Sequence, residues 1–203
     1  MSTRRKHARN KGDLTKARII NAALDIISDK GFSALSHRNI AREAGVQLAS
    51  TSYYFGSLDQ LILEAFEYFI EQERRYLEEA EQQFQTDAIE SVEELSEKFS
   101  ELIIQNVTTR SWVQSIDFQF LYNRHLPEDV RNRVLEFDRV MNRLIAKRLD
   151  AFGSPNPDED AALLLAILRS HEFRGICDPE HFDQDSLRRQ VHRLLSCLIE
   201  SPK

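Results

Sequence analysis

The sequence predicts an all-α protein in which an N-terminal three-helix domain precedes a longer helical bundle, and three observations predict it. Apolar residues recur at three- and four-residue spacing over most of the 203 positions, the mark of helices that each bury one face. One stretch, SHRNIAREAGVQLASTSYYFGSLDQL from Ser36 to Leu61, reads as two brief helices around a glycine, with a third helix opening behind them. No alternating pattern of strand length, internal repeat or low-complexity domain interrupts this organisation.

The residues of that stretch justify each element. Ser36 can cap a helix because its hydroxyl accepts from a free backbone N–H of the first turn. Ile40, Ala41 and Ala44 then put a small apolar face inward and leave His37, Arg38 and Arg42 to point outward. Gly45 stops the helix, since glycine enters the left-handed conformation without steric cost. The segment from Gln47 to Tyr54 is rich in Ser, Thr and Tyr, groups that hydrogen-bond base edges or phosphates from a helix lying in a groove. Ser57 and Gln60 have the spacing of a capping box, so the next helix starts there. This is a helix-turn-helix pattern, and it points to DNA.

Beyond it the chain reads as helix almost throughout. Leu58, Leu61, Ile62, Ala65, Phe66, Phe69, Ile70, Tyr76, Leu77 and Phe84 make one long helix. Val92, Leu95, Phe99, Leu102 and Ile103 make another, and an aromatic-rich helix is expected from Trp112 to Leu126. Pro127, Glu128 and Asp129 open the next, because proline suits a first turn and acids suit the positive end of the helix dipole. That helix uses Val130, Val134, Phe137, Met141 and Leu144 and stops near Gly153. Asn156 and Pro157 are expected to cap and open a helix striped by Ala161, Leu164, Leu165 and Leu168, and a last helix presents Leu187, Val191, Leu194 and Leu198.

Net charge informs only after division. Residues 1–60 carry 10 Lys/Arg against 5 Asp/Glu, a balance of +5, whereas residues 61–203 carry 17 against 28, a balance of −11; together they give the overall −6. A basic N-terminal domain is thus hidden in an acidic chain, and it favours nucleic acid at that end through phosphate neutralisation. Arg4, Arg5, Lys6, His7, Arg9 and Lys11 form a basic arm over residues 1–14, read either as a solvated, disordered tail or as a phosphate or minor-groove contact. No apolar run reaches membrane-spanning length and no secretory signal is visible, so a cytoplasmic protein without a membrane partner is expected. Cys177 and Cys197, alone and 20 positions apart, fit a reducing compartment rather than a disulfide framework.

The segment from about Lys16 to Leu61 resembles the N-terminal domain of the tetracycline-repressor-like (TetR) family of bacterial transcription regulators. The resemblance rests on a first helix with Ile19, Ile20, Ala22, Ala23, Leu24, Ile26 and Ile27 before Gly31 and Phe32. Ala44-Gly45-Val46 follows at the end of the second helix, then Tyr53-Tyr54-Phe55, then Ser57, Asp59 and Leu61. It covers roughly a quarter of the chain. Two positions depart from the pattern: Leu58 stands where the family usually has a basic, phosphate-contacting residue, and Ser52 where it often has tyrosine.

The resemblance implies three domains or segments: the arm 1–14, a DNA-reading domain 15–57, and an effector-binding and dimerisation domain 58–203. It implies a homodimer on pseudo-palindromic double-stranded operator DNA, acting as a repressor released by a small-molecule effector. Matching the motif places Arg38, Leu48, Ser50 and Tyr53 at the major groove, with Thr15, Lys16, Ser36, Tyr54 and Ser57 at phosphates; Tyr54 has a competing reading as core. Candidate effector-lining residues are Phe99, Ile103, Trp112, Phe118, Phe120, Tyr122, Phe137 and Met141, a set that also reads as plain core. Leu164, Leu168, Leu187, Val191, Leu194 and Leu198 are the candidate dimer interface, with closure of the monomer core as the competing reading.

Two other classes compete. His171, Glu172, Cys177, Asp178 and His181 lie close in sequence and raise a metal-dependent helical-bundle enzyme, although the spacing is neither HExxH nor a paired-cysteine motif. A nonenzymatic adaptor that keeps the helix-turn-helix unused is the other, and either cysteine could serve a redox sensor. No phosphate loop, nucleophile elbow or Ser-His-Asp arrangement is visible, so no enzyme, metal or cofactor is expected.

Overall fold

The computed structural model describes the backbone of residues 2–86 and 89–199, with side chains described for 12–79, 81–82 and 89–199. The described residues fold into helices α1 (Ser2–Lys30), α2 (His37–Ala44), α3 (Leu48–Phe55), α4 (Leu58–Thr86), α5 (Val92–Thr109), α6 (Ser111–Leu121), α7 (Glu128–Ala151), α8 (Pro157–Cys177) and α9 (Gln184–Ile199), with 3₁₀ turns at Phe32–Ala34 and Pro179–His181. The all-α expectation holds. From Ser2 onward α1 takes in the arm expected at 1–14; the arm's basic side chains and Phe84 lie outside the described side chains.

The chain divides into two units, Met1–Glu78 with Gln119–Asn132, and Glu79–Phe118 with Arg133–Lys203. The first therefore extends well past residue 57. Its interior is built by Ile19, Ala23, Leu24 and Ile27 of α1, Ile40 of α2, Phe55 of α3, and Leu61, Ala65, Phe66 and Phe69 of α4, all essentially inaccessible to water. Phe120 completes it: its ring centroid lies 4.7 Å from Phe66 and 5.0 Å, edge-on, from Phe32, arrangements favoured by the ring quadrupole.

The second unit buries Leu95, Phe99, Ile103 and Val107 of α5 against Ile145 and Leu149 of α7, Leu164, Leu165 and Leu168 of α8, and Leu187, Val191 and Leu195 of α9. α5 opens on a reciprocal capping box, Ser91 accepting from the Glu94 N–H and the Glu94 carboxylate accepting from Ser91.

Three local expectations change. α6 ends at Leu121 rather than Leu126, because Asn123 Oδ1 accepts from the His125 N–H at 3.0 Å and its carbonyl accepts from Leu126, a turn that competes with further helix. Asn156 precedes α8 but makes no side-chain cap; Ser154 instead accepts from the Asn156 N–H and donates to the Asp160 carboxylate at 2.5 Å. Ser57 accepts from the Gln60 N–H, yet the Gln60 amide turns to Glu64, so half of the expected capping box forms.

Candidate nucleic-acid interface

Ser36, extended at φ −158°, accepts from the Asn39 N–H at 3.1 Å and starts α2. The Asn39 side chain donates back to the Ala34 carbonyl at 2.8 Å, fixing the entry of the chain. Ile40, Ala41 and Ala44 are buried and Arg38 and Arg42 exposed, as the spacing requires. His37 departs from its outward expectation: it is half-buried, with Nδ1 lacking a hydrogen-bond partner.

α2 closes on Gly45 at φ 62°, ψ 39°, where any side chain is strained. The Val46 N–H reaches the Ala41 carbonyl and the Gly45 N–H reaches Arg42, the two bonds of a Schellman termination. α3 begins at Leu48 and is anchored by two residues four apart, Thr51 and Phe55, at 0% and 3% exposure. Thr51 is tolerated inside because its hydroxyl donates to the Leu48 carbonyl at 2.8 Å.

That anchoring turns the opposite face of α3 outward. Tyr53 is 82% exposed and Leu48 52%, and Gln47, Ala49 and Ser52 are exposed beside them. Ser50 is half-buried. Gln47, Ala49 and Ser52 are not among the residues matched to the family motif; Ala49 and Ser52 turn away from Thr51 and Phe55, but a polar threonine does not mark the buried side in the sequence.

The candidates for phosphate divide. Ser36 and Ser57 use their oxygens as helix caps, leaving each O–H to donate. Tyr54 is half-buried, edge-on to Tyr53 at 5.1 Å, and its hydroxyl lies 3.5 Å from where a Cβ on Gly12 of α1 would sit. Thr15 is half-buried. Lys16 is engaged within the domain, its ammonium paired with Glu64 and 5.5 Å from the Phe55 ring centroid, which leaves Arg38 and Arg42 as the exposed cations of α2.

The other candidate sets separate as well. Phe120 belongs to the aromatic core of the N-terminal unit, which corrects its placement in an effector set. Trp112 and Tyr122 are 41% and 65% exposed. Phe99 and Ile103 lie in the core of the second unit, Met141 packs against it, Phe137 is half-buried, and buried Phe118 meets the exposed Phe173 ring edge-on at 5.6 Å. Of the dimer candidates, Leu164, Leu168, Leu187 and Val191 are interior to the monomer, because α8 and α9 spend those stripes on α5; Leu194 and Leu198 are half-buried. The exposed large apolar residues of α8 are Leu163 and Phe173.

The residues that suggested a metal are dispersed among other partners. His171 Nε2 meets the Gln190 amide oxygen at 3.2 Å, Glu172 accepts from Asn106, and His181 pairs with Asp178 on the surface. Among the described residues no three such side chains converge on a point that could hold a metal ion. Cys177 and Cys197 are both exposed and no disulfide joins them. No described helix is long and apolar enough to cross a membrane.

Comparison with known proteins gives the same answer as this geometry. Residues 19–65, which run from the C-terminal part of α1 to the first turns of α4, match the model of the bacterial regulatory proteins, tetR family. The chain is 42% identical over 57 residues to the probable HTH-type transcriptional regulator YttP of Bacillus subtilis, a match to 26% of this chain and 28% of that protein. Similarity to the HTH-type transcriptional regulator BetI of Brucella canis is longer and weaker, 25% over 173 residues, covering 75% of this chain and 87% of the other. A Rhodococcus transcriptional regulator shares the fold with a TM-score of 0.76 at 18% identity, covering 91% of this chain and 96% of that one. The multidrug binding protein EbrR, solved with imidazole, has a TM-score of 0.65 at 26% identity, covering 93% and 96%; it has also been solved with malachite green and with ethidium. Residues 19–65 thus match the tetR family of bacterial regulatory proteins, and over nine-tenths of its length the chain shares the helical fold of the Rhodococcus regulator and of EbrR.

Proposed function

We propose that the protein is a dimeric, sequence-specific repressor that leaves a pseudo-palindromic operator when a small molecule binds its C-terminal unit. The observation that carries the reading is the outward face of α3, where Leu48, Ala49, Ser52 and Tyr53 stand exposed, together with Arg38 exposed on α2. A helix so short, fixed by Thr51 and Phe55 and bearing an 82%-exposed tyrosine, serves no packing purpose on that side. Placed in a major groove it offers hydroxyls and an apolar edge to the bases, while Arg38 has the two-pronged donor geometry that guanine accepts. Ser36, Ser57, Tyr54 and Thr15 supply phosphate contacts around it.

One such helix reads few base pairs, so two copies placed a helical turn or a multiple apart are required for a unique site. The surface offered for pairing is the exposed line of Leu163, Ala166, Ser170 and Phe173 on α8, with Leu194 and Leu198 of α9 at its margin. Relief by an effector requires only that the ligand favour the conformation whose two α3 helices no longer fit the operator. Phe99, Ile103, Phe118, Phe137 and Met141 of α5–α7 are the residues we assign to that ligand, and the ligand complexes of EbrR support a small-molecule role for this kind of unit. Such a regulator works in the cytoplasm, where its DNA is, and needs neither catalysis nor a cofactor.

The test is binding to duplex DNA flanking the protein's own gene, followed by fluorescence anisotropy at several salt concentrations. Half-saturation at about 10 nM, with at least about 10³-fold weaker binding to a scrambled duplex, is the expected result. Equal affinity for both duplexes would refute sequence reading, and no binding at low salt would favour the adaptor role.

A further inference from the structure

We infer that Arg18 is a positioning residue for DNA reading, which acts by clamping the turn between α2 and α3 rather than by touching DNA. The Schellman bonds at Gly45 satisfy the carbonyls of Ala41 and Arg42 but leave later carbonyls of the α2 terminus without intrahelical donors. Arg18 reaches across from α1 to two of them: Nη2 donates to the Ala44 carbonyl at 2.5 Å and to the Gly45 carbonyl at 3.3 Å. Its positive charge also sits at the negative end of the α2 dipole.

The clamp is closely fitted. A Cβ added to Gly45 would lie 3.1 Å from Arg18 Nη2, so the glycine provides both the left-handed turn and the room for the guanidinium. Arg18 is itself rooted, because Ile19 and Ile20 beside it are buried in the core of the N-terminal unit. The turn is therefore tied to a rigid helix only three residues before α3 begins at Leu48. Base reading depends on side chains being held to within about half an ångström, and the clamp fixes where the exposed face of α3 stands.

An exposed arginine on a DNA-reading domain would ordinarily be taken as a phosphate contact, and the two roles have opposite signatures. A phosphate contact adds the same affinity on every sequence and contributes about 0.9 to the slope of log affinity against log salt. A turn clamp adds affinity only where base contacts are made and leaves that slope unchanged.

The inference rests on the DNA-reading role proposed above, and the experiment separates the two. Wild-type protein, Arg18→Ala and Arg18→Lys are titrated with operator and scrambled duplex over a range of salt, and amide exchange is followed through residues 44–48. Arg18→Ala is expected to lose at least about tenfold in operator affinity, with scrambled-duplex affinity and salt slope as in wild type. Arg18→Lys keeps the charge but cannot span two carbonyls in the same way; it is expected to fall on operator with an unchanged slope, and in both variants exchange at 44–48 quickens while the thermal midpoint stays within a few degrees. Equal loss on both duplexes with a shallower slope would make Arg18 a phosphate contact and overturn the inference, as would wild-type exchange and affinity in both variants. Should Arg18→Ala fail to fold, the Arg18→Lys titration decides alone. Wild-type protein without operator preference would instead overturn the DNA-reading proposal itself.

Discussion

Asn106 Nδ2 donates to Glu172 Oε1 at 2.6 Å, joining α5 to α8 inside the C-terminal unit. Arg110 donates to the other end of the same amide at 3.1 Å, which fixes its orientation. Glu172 is only 5% exposed. Burial pushes its carboxyl up to about 7; the nearby Asp117 charge adds to the rise, and the Asn106 bond with Arg169 and Arg110 opposes it.

Stability should therefore fall as pH rises. The folded protein holds a proton on Glu172 that the unfolded chain releases near pH 4.5, so between that value and about 7 the folded state binds more protons. The favourable contribution is complete below the unfolded value and lost through the folded one, opposite to the usual carboxylate. Glu172→Gln keeps the shape and the acceptor for Asn106 and cannot ionise. At pH 8 it should be more stable than wild type by up to about 3 kcal/mol, and at pH 4.5 nearly equal; urea midpoints at the two pH values measure this. A wild-type advantage at pH 8 would show that the charged carboxylate is stabilised in place.

Gly175, one turn further along α8, explains how closely α5 and α8 approach. A Cβ there would meet both γ-carbons of Val107 at 2.7 Å and a ring carbon of Phe182 at 2.9 Å, distances that real Cβ atoms do not tolerate. Gly175→Ala is helix-favouring in isolation, yet it should destabilise the protein by about 1–3 kcal/mol through overpacking. Adding Val107→Ala should recover part of the loss, so the pair is less than additive. Thermal midpoints of the four proteins in that cycle provide the check, and additivity would place the strain elsewhere.

What the sequence made legible is local. The Ser36 cap and the Gly45 turn follow from chemistry within a few residues, and both stand as read. The side of α3 that faces out follows from Thr51 and Phe55 only once both are known to be buried, and a polar threonine does not announce that. Long-range choices were less readable. Phe120 packs on Phe66, 54 positions away, and its own neighbourhood of aromatic residues gives no hint of which unit claims it. The stripes of α8 and α9 revealed that Leu164 and Leu187 are buried but not against what, since an apolar face looks the same whether its partner is α5 or a second chain.

Arg38→Ala separates base reading from general attraction. The side chain is exposed on α2, and its guanidinium suits a guanine edge. Operator affinity should drop by about 1–3 kcal/mol while affinity for scrambled duplex changes little. Anisotropy titrations on both duplexes at one fixed salt concentration suffice. Equal losses would reassign Arg38 to a phosphate.

Pairing of two chains through α8 predicts a difference between neighbouring leucines. Leu163 and Phe173 are 54% and 52% exposed and fall on one line with Ala166 and Ser170, at steps of three or four residues. Small residues between two large ones let a partner helix approach, and Phe173, already edge-on to Phe118, is a preorganised aromatic anchor. The double variant Leu163→Lys with Phe173→Lys should sediment as a monomer at micromolar concentration with its helicity intact. It should also lose operator preference, since one α3 cannot read both half-sites. Leu187→Lys provides the contrast: that side chain is fully buried among α5, α8 and α9, so a charge there should unfold the unit rather than divide a dimer. Sedimentation together with circular dichroism distinguishes the two outcomes, and a wild-type monomer, or a double variant still dimeric, would remove α8 as the pairing surface.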